Sequence, residues 1–284
     1  MDYAVEIKNL TKTFPGFTLD NVSLAVPGGS ILGLIGENGA GKSTTIKCLL
    51  GMLRPNSGTI TVLGGSPDDP AVREQIGVVP DECPFHGTLT AQQVGRILSR
   101  EYMQWHQELY DEYLKKFDLP RNLFLKDFSK GMKMKLSIAA ALAHHPKLLV
   151  LDEPTGGLDP VVRSEILDEF LAFIRDEEHS VLLSSHITSD LERVADHIAY
   201  LHKGRVVLSG EKDVLLEQFG RLACTSAELA RVEPEYLAGV RRGQFGSEAL
   251  IRGRREFQRR YPELAVEPVT LEEIMIFTVR GEQA

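Results

Sequence analysis

Ser30-Ile31-Leu32-Gly33-Leu34-Ile35-Gly36-Glu37-Asn38-Gly39-Ala40-Gly41-Lys42-Ser43-Thr44 is the stretch that decides the fold. Residues 31–35 are apolar on both faces, as a strand buried inside a parallel sheet must be. They run into a full GxxxxGK[ST] turn, and a helix is predicted from residue 42 to about 53. Glycines at this spacing let consecutive backbone N–H groups turn inward as a nest, and the helix start adds its positive dipole end. Such a cradle matches a chain of phosphates. Lys42 would reach the outer phosphate oxygens, and the Ser43 hydroxyl would ligate Mg2+.

Outward from this turn, residues 3–10 and 17–26 alternate apolar with polar side chains, which predicts two half-exposed antiparallel strands. Further strands are predicted at 59–63, 76–79, 148–151 and 181–184, with helices at 131–144 and 161–176. Residues 90–119 carry mainly helical spacing and form an inserted lobe. The alternation of strand and helix predicts an α/β fold with a largely parallel sheet covered by helices. From Arg221 onward the ten basic residues are all Arg and the ten acidic ones all Glu, which marks a small separate tail. Its segments 265–269 and 275–279 read as strand-like.

Among 284 residues, 43% are hydrophobic and 25% charged, enough for one large core or two modest ones. A formal net charge of -8 argues against nucleic acid as partner. Cys48, Cys83 and Cys224 lie far apart, which speaks against a disulfide framework or zinc cluster and for a reducing cytoplasm. No apolar stretch approaches the roughly 20 residues of a spanning helix, and the amino end is no signal peptide. No direct membrane insertion is therefore expected; a membrane role needs another chain.

The second signal is Leu148-Leu149-Val150-Leu151 followed by Asp152-Glu153: a buried strand that delivers two carboxylates at its carboxyl end, where ligands sit in open parallel sheets. Asp152 would hold Mg2+, and Glu153 would orient or deprotonate an attacking water. His144-His145 reads as a helix end, where imidazolium suits the dipole.

From about residue 3 to 219 the chain resembles the ATP-binding subunit of ABC transporters. Phe128-Ser129-Lys130-Gly131-Met132 occupies the place of the family's signature, with Ser129 23 residues before Asp152. Gly156-Gly157-Leu158-Asp159 is similar to the D-loop, and Ser185-His186 to the switch histidine, 33 residues after Glu153. Phe14 stands where the family stacks an aromatic on adenine; a core aromatic is the alternative there. The resemblance implies a P-loop NTPase (RecA-like) core with an antiparallel β subdomain, a helical subdomain inserted at about 82–139, and a small C-terminal α+β extension. The corresponding division is a cassette at 1–219 and an accessory domain at 220–284. It also implies that ATP and Mg2+ are bound by Gly36 to Thr44, with Ser43, Asp81 and Asp152 on the metal side. Catalysis falls to Lys42, Glu153 and His186. Ser129, Lys130, Gly131 and Met132 would grip, in trans, the ATP of a second cassette, in a homodimer or heterodimer closed head to tail. Ser129 reads equally as a helix N-cap.

Three departures from the family pattern stand out. Lys130 replaces a glycine, and Met132 a glutamine, in the signature. Asp81 stands where a glutamine normally senses the metal, and is expected to keep that role at some cost in ATP affinity. Gly156-Gly157 precedes Leu158-Asp159. The overall wording is similar to cassettes paired with separate ABC-2-type transmembrane permeases that export drugs, peptides or lipids. Such a chain would sit on the inner face of the membrane through its permease. An importer cassette, a soluble ABC ATPase of DNA repair or translation, and a non-hydrolysing regulator are the rival functions.

Overall fold

The computed structural model describes residues 3–243 and 246–280. Strands β1 (Tyr3–Phe14) and β2 (Phe17–Pro27) form a hairpin through Pro15-Gly16, where Gly16 takes φ 82°. Then follow β3 (Ile31–Ile35), α1 (Lys42–Leu49) and β4 (Ser57–Val62), the last pairing antiparallel with β1 to complete a three-stranded sheet. Helix α1 ends four residues before the predicted limit, because Gly51 turns left-handed at φ 68°. After the short α2 (Pro70–Arg73) come β5 (Ile76–Val79) and the helical lobe, α3 (Ala91–Glu101) and α4 (Gln107–Lys116).

The chain returns through α5 (Lys130–Leu142), β6 (Leu148–Asp152), α6 (Pro160–Phe173), β7 (Ser180–Ser185), α7 (Thr188–Val194), β8 (His197–His202) and β9 (Arg205–Glu211). These strands make a six-stranded sheet ordered β5-β6-β7-β3-β8-β9, parallel except for the β8-β9 pair. The predicted α/β architecture is present. Side chains of one strand alternate between its two faces. Leu32, Leu34, Leu148, Val150 and Leu182 pack toward the antiparallel sheet and α1. Ile31, Ile35, Leu149, Leu151, Val181 and Leu183 pack toward α5, α6 and α7. Each such fully buried aliphatic contributes about 1.5–3 kcal/mol, so the double-sided run at 31–35 is committed to the centre of the sheet.

In the lobe, Thr90 and Gln93 form a reciprocal capping box that starts α3. A Cβ at Gly95 would stand 2.6 Å from the Tyr110 ring, so this glycine lets α3 settle on α4. The Tyr110 hydroxyl donates to the Ala91 carbonyl at 2.8 Å.

Beyond the sheet lie α8 (Lys212–Gln218), β10 (Phe219–Cys224), α9 (Ser226–Leu229), β11 (Leu237–Arg242), β12 (Ser247–Arg252), α10 (Arg254–Arg260), β13 (Val266–Glu267) and α11 (Leu271–Arg280). The four strands form an antiparallel sheet ordered β11-β12-β10-β13. One face closes on Tyr236, Phe257 and Tyr261 as a core of its own, whereas Leu250, Leu271, Ile274 and Phe277 join the main core. The strand-like segment 275–279 is in fact helical: Thr270 and Glu273 cap each other's N–H groups at 2.9 and 3.2 Å and start α11. No helix among the described residues is long and apolar enough to cross a membrane.

Candidate active site

The phosphate loop follows β3, at the carboxyl end of the sheet. Gly36 and Gly41 are fixed by crowding: a Cβ on the first would stand 2.6 Å from the Leu201 carbonyl, and on the second 2.5 Å from a Leu19 methyl. Gly41 also takes φ 112° at the N-cap of α1 and offers no capping side chain, so the first N–H groups of the helix are left for a ligand. Glu37, Asn38 and Gly39 form the exposed tip, and the Ala40 N–H donates to the Glu37 carbonyl at 3.0 Å. Ser43 is exposed and Thr44 half-buried, while Lys42 is 6% exposed.

Lys42 Nζ lies 2.6 Å from the Gly36 carbonyl and 3.0 Å from Glu153 Oε1. The other carboxylate oxygen, Oε2, lies 2.7 Å from His186 Nδ1 and accepts the His186 backbone N–H at 3.3 Å. One carboxylate thus joins three residues that are far apart in sequence, and it does so from a left-handed backbone, φ 52°. That conformation disfavours a side chain by about 1–3 kcal/mol, and strain of this kind collects at functional sites. It is held by the Glu153 N–H, which donates to the Ser184 hydroxyl at 3.1 Å; the same hydroxyl donates to Asp152 Oδ1 at 2.6 Å. Asp152 and Ser43 are hard oxygen donors, the type that suits Mg2+.

Asp81 follows β5, the neighbour of β6. Burial pushes its carboxyl up, Asp152, Glu153 and Glu82 push the same way, and Lys130 opposes them. Phe14 ends β1 half-buried, outside the buried clusters, with the Lys12 ammonium 5.4 Å from its ring centroid.

The signature residues begin α5. The Ser129 hydroxyl accepts the Met132 N–H at 3.2 Å as the N-cap, Ser129 and Lys130 are exposed, and Met132 leans on the main core. Asp159 caps α6 in the same way, accepting the N–H groups of Val161 and Val162 at 3.1 Å.

A network that sequence reasoning missed lies behind the site. Asp190, 2% exposed, accepts the Thr155 hydroxyl at 2.6 Å and pairs with Arg163, which also donates to Ser189 at 2.8 Å. It ties the turn after Glu153 to α7, the helix that follows His186. No spacing rule marks these residues, because the partners are 35 and 27 positions apart. His144 corrects the sequence reading: it is 1% exposed, stacked on Tyr102 and 3.3 Å from the Ile76 carbonyl, and burial holds its imidazole below the usual range.

A phosphate loop after a central strand, two carboxylates on the next strand but one, and a histidine on the strand between define a nucleotide triphosphatase of the ATP-binding cassette class. The ABC transporter family model matches residues 19–156. The bacitracin transport ATP-binding protein BcrA of Enterococcus faecalis is 35% identical over 213 residues, 73% of this chain and 69% of that protein. ABC transporter ATP-binding protein YtrB of Bacillus subtilis is 29% identical over 98% of this chain and 99% of its own length, tail included. The Nod factor export ATP-binding protein I of Sinorhizobium fredii is 31% identical over 84% of this chain and 71% of its own. A dimeric ATP-binding cassette solved in a post-hydrolysis state with ADP and Pi superposes with TM-score 0.65 at 25% identity, over 73% of this chain and 98% of that one. The chain belongs to the ABC transporter ATP-binding family.

Proposed function

We propose that this chain is the ATP-hydrolysing subunit of an ABC exporter, acting as a head-to-tail pair of cassettes on a separate transmembrane permease. The observation that carries it is the Lys42-Glu153-His186 junction beside an uncapped helix start: a cation for phosphate, a base for water and a sensor share one carboxylate. Export is supported by the Nod factor relative, and pairing by the dimeric cassette. The permease would hold the chain at the inner face of the membrane. The cassette would span residues 1–219 and the accessory domain 220–284.

In this mechanism the N–H groups of residues 36–44 receive the β- and γ-phosphates, and Phe14 stacks on adenine. Ser43, Asp152 and Asp81 would hold Mg2+, which when bound would neutralise charge on the phosphate oxygens. The incoming phosphate draws Lys42 off Glu153. That releases Glu153 Oε1 to take a proton from the attacking water as its oxygen bonds to the γ-phosphorus and the bond to the ADP oxygen breaks. ADP and phosphate are the products. His186, held by Glu153, contacts the γ-phosphate and registers its loss. Ser129 and Gly131, at the start of α5 of the second copy, complete the cradle, and Asp159 shapes the D-loop at that junction.

The test is Glu153→Gln. Its amide cannot take the proton, so turnover falls at least about a hundred-fold, while Mg-ATP gives a stable dimer on gel filtration. A variant that binds ATP and stays single at high concentration overturns the two-copy motor.

A further inference from the structure

The helix that follows the switch histidine is held from two sides. Toward α6, Asp190 pairs with Arg163, and Arg193 donates to Ser164 at 2.9 Å and to Asp168 at 2.6 Å. On the other side, Glu192 Oε1 accepts the Leu271 backbone N–H of α11 at 2.6 Å, and the Glu192 carbonyl accepts Lys212 Nζ, at the start of α8, at 2.8 Å. The bond to Leu271 spans 79 positions of sequence and reaches the tail. Arg221, on β10 of the tail sheet, holds the same helix start: it lies 3.2 Å from Glu273 in the first turn of α11 and 2.5 Å from Glu267 on β13. The start of α11 is thus a joint between α7 and the tail sheet.

Helix α7 has only seven residues, roughly 10 Å of length, and it begins two residues after His186. Glu192 stands one turn along it from Thr188. His186 is 47% exposed. It and Thr188 line a cleft of about 540 Å3 whose other wall is Met275, Ile276 and Val279 of α11. Glu153 therefore holds the imidazole and α7 holds the backbone behind it. A rod this short passes a tilt at one end to the other, and the cleft leaves room for that tilt. At a reacting centre a shift of about 1 Å is enough to lower the rate up to a hundred-fold.

We propose, resting on the reading of His186 as the γ-phosphate sensor, that Glu192 is a positioning residue: by clasping the start of α11 it fixes α7, and so sets where the switch histidine stands. The tail enters hydrolysis through this joint without touching nucleotide.

Two variants of the full-length chain test it. Glu192→Ala removes the clasp, whereas Glu192→Gln keeps an oxygen that accepts the Leu271 N–H. The alanine variant should lose at least about five-fold in kcat for Mg-ATP with KM within about two-fold, because the proposed nucleotide contacts at Phe14 and residues 36–44 lie outside α7 and α11. The glutamine variant should stay within about two-fold of the parent in both constants. Backbone hydrogen exchange reads the joint without nucleotide: residues 186–189 should exchange at least about five-fold faster in Glu192→Ala than in the parent or in Glu192→Gln, with α1 unchanged. The proposal is overturned if Glu192→Ala keeps the parent's kcat, if Glu192→Gln shares the loss, or if KM rises as kcat falls. Faster exchange throughout the chain would make Glu192 a prop for the fold and overturns it as well. A parent that binds Mg-ATP without hydrolysing it would sink the motor instead; exchange at residues 186–189 then decides the joint, and unchanged exchange there overturns it.

Discussion

The start of α1 and the start of α5, the two helix ends proposed to meet phosphate, are finished in opposite ways. The first has a left-handed glycine at its N-cap, no capping side chain and a buried lysine held by Glu153. The second is capped by its own Ser129 and stands exposed. In the proposed pair the first end meets phosphate within its own chain and leaves its donors open; the second would meet phosphate only across the junction, and its own serine satisfies it at the surface until then.

The largest expected effect tests the first half. Lys42→Ala removes the cation that phosphate and Glu153 share, and should lower turnover about a thousand-fold with loss of nucleotide affinity, measured by steady-state hydrolysis and equilibrium binding. Next is the network behind the site, which ties the turn after Glu153 to α7. Asp190→Ala leaves the half-buried Arg163 and the Thr155 hydroxyl without their carboxylate, and should cost about 2 kcal/mol in a denaturant titration; a cost near zero would mean that the network does not brace the site.

Ser129→Ala tests the second half more gently. It should cost about 1 kcal/mol of stability and weaken the ATP-stabilised dimer, while single-chain ATP affinity stays near the parent's. Equal losses in both assays would erase the contrast between the two termini. The smallest effect is on the acid side. Burial depresses the His144 pKa in the folded chain, so the unfolded chain binds more protons below about pH 6.5. Stability should be fully present above that pH and fall as the pH drops through it, and His144→Gln should flatten this part of a melting-temperature profile.

What was legible in the sequence is what is local. The turn 36–44 carries its own geometry, and the double-sided apolar runs at 31–35 and 148–151 place their strands in the middle of the sheet. Segment 275–279 misled because Ile276, Phe277 and Val279 favour strands, yet Thr270 and Glu273, spaced as a capping box, already announced a helix. His144 misled for the opposite reason: its surroundings come from Ile76, 68 residues away, and no neighbour in the chain reports that burial. The Thr155-Asp190-Arg163 network was invisible on the same ground.

Helix α11 has a consequence for anyone who would trim this protein. Its Leu271 N–H is held by Glu192 of α7 at 2.6 Å, and Ile274 and Phe277 belong to the main core. A stump ending at residue 219 would keep every residue proposed to hold ATP and still bare an oily seam behind α7, so shortening the gene should yield inclusion bodies sooner than a minimal motor.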